Sequence, residues 1–158
     1  MRKILLLFII LISFAYSQSQ YLKVPRGSEK IGILVESLRI SEFITQSEIE
    51  AAVKLRLRRN GIKYYSNISD SSGKPGGYLY INYNISQQNN DDVYGSLLIQ
   101  FCMNSLSSNY KTYYGVSVWQ KQLNFFIPSR YNKNQELKKD LSSIIDLFSS
   151  EYIDANDL

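Results

Sequence analysis

Three stretches in the middle of the chain share one two-residue rhythm, and that rhythm leaves few folds open. From Tyr78 to Ile85, one parity carries Leu79, Ile81, Tyr83 and Ile85, and the other carries Tyr78, Tyr80, Asn82 and Asn84. From Val93 to Met103, Leu97, Ile99, Phe101 and Met103 alternate with Tyr94, Ser96, Gln100 and Cys102, with Leu98 the apolar exception on the second parity. From Tyr113 to Lys121, Tyr114, Val116 and Val118 alternate with Tyr113, Ser117 and Trp119. Successive strand side chains point to opposite faces, so the pattern predicts three strands with one buried and one wetter face. The polar connections Gln87 to Asp92 and Ser105 to Lys111 suit hairpin turns, which makes the three an antiparallel meander.

Helices flank this meander. Thr45 and Glu48 have the spacing of a capping box, and Ile44 and Ile49 that of a hydrophobic staple. Gly61 can take the left-handed conformation that closes a helix, with Ile62 returning onto Leu57. Lys54, Arg56, Arg58 and Arg59 crowd the last turns, where the helix dipole favours cations. A helix over 46–59 follows. The apolar run Ile31 to Val35 before it and Ile62 to Tyr65 after it are predicted as short strands, paired in parallel if adjacent. A second helix is predicted from Asn134 to Ala155, where Leu137, Leu141, Ile144, Ile145, Phe148, Tyr152 and Ala155 form one stripe. The expected fold is α+β: a two-layer sandwich of a mixed five-stranded sheet with both helices on one face. Arg56 falls among Ile49, Val53 and Leu57, so it either snorkels past the sheet edge or meets a partner such as Glu36.

The first residues read as an address. Met1-Arg2-Lys3 precedes an apolar run from Ile4 to Phe14, and Ala15-Tyr16-Ser17 offers small residues for cleavage. That is the pattern of a signal peptide over 1–17, too short to span a bilayer. Residues 18–30 read as a polar leader and 31–158 as one domain. Of 158 residues, removal of those 17 leaves 141, enough for a core. Arg2 and Lys3 leave with the signal, so the formal charge of +4 falls to +2. No dense basic patch of the kind nucleic acid requires is present, and no membrane span is expected after cleavage. Cys102 is the single cysteine, so an intrachain disulfide is excluded and the fold must stand on packing.

Catalytic chemistry is sparse. The chain has no histidine, which removes the commonest general base, His-based triads and the usual zinc sites. Carboxylates such as Glu36, Glu48, Asp91 and Asp146 show no motif spacing. Ser72-Gly73-Lys74 lacks the remainder of a phosphate-binding loop, since Ile68 and Pro75 stand where Gly and Ser or Thr are needed. No catalytic residue, metal ligand or cofactor is assigned.

One feature exceeds background: 13 tyrosines and one tryptophan. On the wetter parity of the meander, Tyr78, Tyr80, Tyr94, Tyr113 and Trp119 alternate with Asn82, Asn84, Ser96, Gln100 and Ser117. Aromatic platforms among uncharged hydrogen-bonding groups have the composition of an interaction surface. The same residues also serve as cross-strand pairs that stabilise a sheet. As a surface, the face would take a protein partner or a glycan, and it is compatible with a homodimer.

The signal, Ile33-Leu34-Val35-Glu36-Ser37-Leu38, the capped helix ending Leu55-Arg56-Leu57-Arg58-Arg59-Asn60-Gly61-Ile62, Tyr78-Leu79-Tyr80-Ile81, Ser117-Val118-Trp119 and the helix ending Phe148 to Asn156 together resemble short exported proteins of Gram-negative bacteria. The order of elements is also similar to that of the lipopolysaccharide-assembly lipoprotein of the outer membrane, which plugs a barrel partner and performs no catalysis. The resemblance implies an exported binding or assembly module of the cell envelope, in the periplasm or beyond. This chain lacks the lipidated cysteine of that lipoprotein, and no functional residue is carried over. The contrasting expectation is a small secreted carbohydrate-binding or carboxylate-dependent hydrolytic protein.

Overall fold

The computed structural model describes residues 22–36, 42–71, 76–88, 90–106 and 112–158, with backbone alone at 104–106 and 112–114. In chain order these form β1 (Ile31–Val35), α1 (Gln46–Arg59), a turn of 3-10 helix (Ile68–Ser71), β2 (Gly77–Gln87), β3 (Val93–Leu106), β4 (Thr112–Ile127) and α2 (Lys133–Asn156). The expected signal peptide lies outside the described residues.

Helix α1 starts and stops where its sequence directs. The Thr45 hydroxyl accepts from the Glu48 N–H at 3.2 Å, and the Glu48 carboxylate accepts from the Thr45 N–H at 2.9 Å. At the far end Gly61 has φ +78°, and the Ile62 N–H returns to the Leu57 carbonyl at 2.9 Å. Glu48 also leaves its own helix, accepting from Lys138 Nζ at 2.8 Å and Asn134 Nδ2 at 3.2 Å on α2. The Lys138 bond, followed by the cap itself, pulls the Glu48 carboxyl down to about 2. Arg56 reaches α2 as well, pairing with Asp146 at 3.5 Å, so its partner is not Glu36.

Among the described residues the sheet has four strands in the order β1-β2-β3-β4, not the five expected. Strand β1 runs parallel to β2, and the β2–β3 and β3–β4 pairs are antiparallel. The missing strand is Ile62 to Tyr65, which makes one parallel bridge, Tyr64 to Ile31, before the chain turns away. Its four residues lie between a helix stop and a breaker-rich loop, too few to continue alongside a five-residue neighbour. The parallel partner of β1 is β2, on its other side.

The inner face carries the core. Ile31, Ile33 and Val35 of β1, Leu79, Ile81 and Tyr83 of β2, and Leu97, Ile99 and Phe101 of β3 are buried. They meet Ile49, Val53 and Leu57 of α1 and the expected stripe of α2 from Leu137 to Tyr152. The Tyr83 hydroxyl, buried with the rest, donates to the Leu137 carbonyl at 2.8 Å. Within the polar leader, Leu22 and Val24 also enter this core. Asn156 fastens them there, accepting from the Val24 N–H at 2.8 Å and donating to the Leu22 carbonyl at 3.0 Å.

Trp119 belongs to this inner side. The register between β3 and β4 steps at Val118: Phe101 lies opposite Trp119, but Cys102 lies opposite Ser117. The extra residue is a β-bulge, which reverses the parity of everything beyond it. Trp119 is 2% exposed, with its ring 5.2 Å from Phe148 and its Nε1–H donating to Glu151 at 2.8 Å. Phe101, Phe148 and Tyr152 complete the cluster at centroid separations of 5.4–5.5 Å.

Two outcomes follow. Phe148→Ala removes the ring shared by all three neighbours and should lower unfolding stability by about 3–5 kcal/mol, measured by chemical denaturation. Glu48 has a folded carboxyl below its ordinary value of 4.5, so its contribution is present above that value and is lost as pH falls towards about 2. Glu48→Gln should therefore flatten the loss of stability across that window, read from denaturation midpoints at a series of pH values.

Candidate functional site: the open face of the sheet

Both helices pack on the inner side, which leaves the opposite face of β2, β3 and β4 without a helix over it among the described residues. The strand registers set its side chains in rows. Ser86, Tyr94 and Phe126 form the first row, then Asn84, Ser96 and Asn124, then Asn82, Leu98 and Gln122, then Tyr80, Gln100 and Gln120. None of these twelve carries a charge. The amides bond within and between strands, Gln100 Nε2 to Gln120 Oε1 at 3.1 Å and Gln122 Nε2 to Asn124 Oδ1 at 3.3 Å.

Aromatic groups stand at the two ends. At one, Tyr94 is 42% and Phe126 60% exposed, paired directly across β3 and β4. At the other, Tyr78 and Tyr80 are half-buried beside β1. The Tyr80 hydroxyl donates to the Glu36 carboxylate, and Asn82 Nδ2 donates to the same carboxylate. Asn82 Nδ2 also lies 3.2 Å from the Tyr80 oxygen. The Glu36 bond, with burial and the charge of Glu36 behind it, pushes the Tyr80 phenol up to about 12. Tyr78 is raised by burial, and so is the Cys102 thiol next to it. Cys102 is a buried free thiol on the same parity as Tyr78. The 3-10 turn closes this corner: a side chain at Gly32 would meet Ile68 at 2.7 Å and Ser71 at 2.8 Å.

Of the five residues expected on this face, the structure brings Tyr78, Tyr80 and Tyr94 to it. Trp119 is a correction: the bulge at Val118 turns it under α2. Tyr113 lies opposite Ser105 beyond the bulge, and its side chain is outside the described residues. Sequence reasoning missed Phe126, Gln122 and Asn124 because it ended the strand at Lys121, and Gln120 because the bulge at Val118 reverses the parity before it. The signal was present, since Gln122, Asn124 and Phe126 alternate with Leu123, Phe125 and Ile127 as far as Pro128.

The face offers donors, acceptors and flat rings. Among the described residues no three carboxylate or thiol side chains gather in a metal-binding group.

The sequence matches no protein-family model and no curated protein. Solved structures are similar in fold. One is the PelC dodecamer from Paraburkholderia phytofirmans, at a TM-score of 0.50 and 15% identity, covering 82% of this chain and 91% of that one. Another is a minor lipoprotein from Acinetobacter baumannii, at a TM-score of 0.43 and 11% identity, covering 81% of this chain and 92% of that one. At these identities the PelC likeness concerns the fold. No helix among the described residues is long and apolar enough to cross a membrane.

The Tyr80–Glu36 bond yields an alkaline test. A raised phenol contributes stability that is whole below its ordinary value of 10 and lost as pH rises through about 12. Ultraviolet titration of the protein minus that of Tyr80→Phe isolates this group. Glu36→Gln should return its titration towards 10.

Proposed function

We propose that this protein is an exported, non-catalytic module of the cell envelope that binds a protein partner across its open sheet face. The observation that carries the reading is the composition of that face: twelve aligned side chains, all uncharged, with aromatics at both ends. Interface centres are depleted in charge and enriched in Tyr and Phe. A solvent-facing sheet of a solitary domain has no need to exclude Lys and Glu from its middle, where they cost little and aid solubility. Export rests on the leader over 1–17, and an assembly role is in keeping with the dodecameric state of PelC, whose fold is similar.

The test is crosslinked capture of a tagged protein from its native cells, beside a Tyr94→Ala, Phe126→Ala double variant. Both side chains are well exposed, so the variant keeps its fold, checked by circular dichroism. Capture of a defined protein should fall at least about tenfold in the variant, the scale of losing about 1.4 kcal/mol of interface energy. Equal capture by both would remove the face from the function.

A further inference from the structure

Strand β4 ends the sheet, and its outer edge pairs with no further strand among the described residues. Its regular part is bounded on both sides. The bulge at Val118 interrupts it before Trp119, and Pro128, which has no N–H to donate, follows Ile127. Between these limits the register to β3 is unbroken, from Phe101 opposite Trp119 to Val93 opposite Ile127. The midpoint of that stretch is Leu123.

Exposed strand edges are templates for another strand unless proline, bulges or inward charges block them. From Trp119 to Ile127 this edge has one such device, Lys121. Lys121 lies on the inner parity, is half-buried, and has no hydrogen bond or ion pair among the described residues. A groove of about 300 Å³ runs along the same edge, lined by Leu123 to Pro128 with Tyr131, Glu136 and Asp140 of α2. Glu136 pairs with Lys139 at 3.4 Å. Asp140 has no hydrogen bond or ion pair within 4 Å among the described residues; burial, followed by the charge of Glu136, raises its carboxyl, and the charge of Lys139 works the other way. One edge therefore has a strand cation with no ion pair among the described residues and, further along in the groove beside it, a helix carboxylate whose nearest cation, Lys139, is bonded to Glu136.

We propose that the protein pairs with a second copy of itself, β4 against β4 and antiparallel, about a two-fold axis at Leu123, so that each Lys121 meets Asp140 of the partner subunit. The geometry follows from the register. An axis at Leu123 sets Lys121 opposite Phe125 and Trp119 opposite Ile127. Opposed residues of an antiparallel pair share a face, so each lysine arrives on the inner side, at the groove that holds the carboxylate. An axis at Lys121 would instead oppose two lysines, which is unfavourable. The proposal stands apart from partner binding by the open face, since it uses the edge alone.

The test is sedimentation equilibrium of the purified protein with charge-exchanged variants. A reversible dimer is expected, with Lys121→Glu and Asp140→Lys each weakening it at least about tenfold. The double variant, with the pair reversed, should return to within about threefold of the original affinity. Lys121→Met and Asp140→Asn give the same weakening without a reversed charge and stand in for any reversal that fails to fold. Tyr94→Ala, which alters only the face, should leave the dimer intact, so the two surfaces are read separately. A monomer at every concentration up to about 100 µM overturns the proposal, since millimolar affinity is worth only about 4 kcal/mol. A dimer unmoved by the single variants, or a double variant no tighter than the singles, also overturns it.

Discussion

The fold hangs on one aromatic contact, the stack of Phe148 against Phe101 and Trp119. A helix laid over an antiparallel sheet is held mainly by area removed from water, and rings supply the most area per residue. These three come from β3, β4 and α2, the last three elements of the chain. Phe148 therefore fixes where α2 lies, and with it which side of the sheet is covered. The open face is the complement of that choice.

The second joint is polar and sits at the other end of the helix pair. Glu48 closes the α1 cap and receives Lys138 and Asn134 from α2 with the same carboxylate. Coupling a local motif to a tertiary one makes the start of α1 depend on the placement of α2. Arg56 and Asn60 repeat the arrangement near the end of α1, both meeting Asp146. The helices thus form a pair before the sheet is considered, and the sheet accepts them together.

What was legible in the sequence was local. The cap at Thr45, the stop at Gly61 and the stripe of α2 are interactions within a few residues, and each formed as its spacing required. The strand expected at Ile62 to Tyr65 failed because the segment leaves β1 after a single bridge at Ile31, and pairing with a distant neighbour is not recorded in four residues. Trp119 was misplaced for a different reason. A bulge is one residue of slippage between two strands, so a parity carried forward from Tyr113 is wrong beyond Val118. The stretch from Trp119 to Ile127 could have been read backwards from Pro128, where Ile127, Phe125 and Leu123 mark the inner parity. That reading places Trp119 inside and adds Phe126, Asn124, Gln122 and Gln120 to the face. The partner of Arg56 was equally invisible, since Asp146 lies on a helix whose docking angle is set by rings elsewhere.

Asn156 gives the molecule a mechanical property. Its side-chain amide holds both Leu22 and Val24, so the first described residues are stitched to the last turn of α2. Residues 22–24 and the last turn of α2 meet at one amide. A pull applied ahead of Leu22 would load that stitch first and then peel α2 from its C-terminal turn, drawing Tyr152 off Phe148. Once the stitch gives, the load passes along residues 25–30 to β1, the edge strand of the sheet.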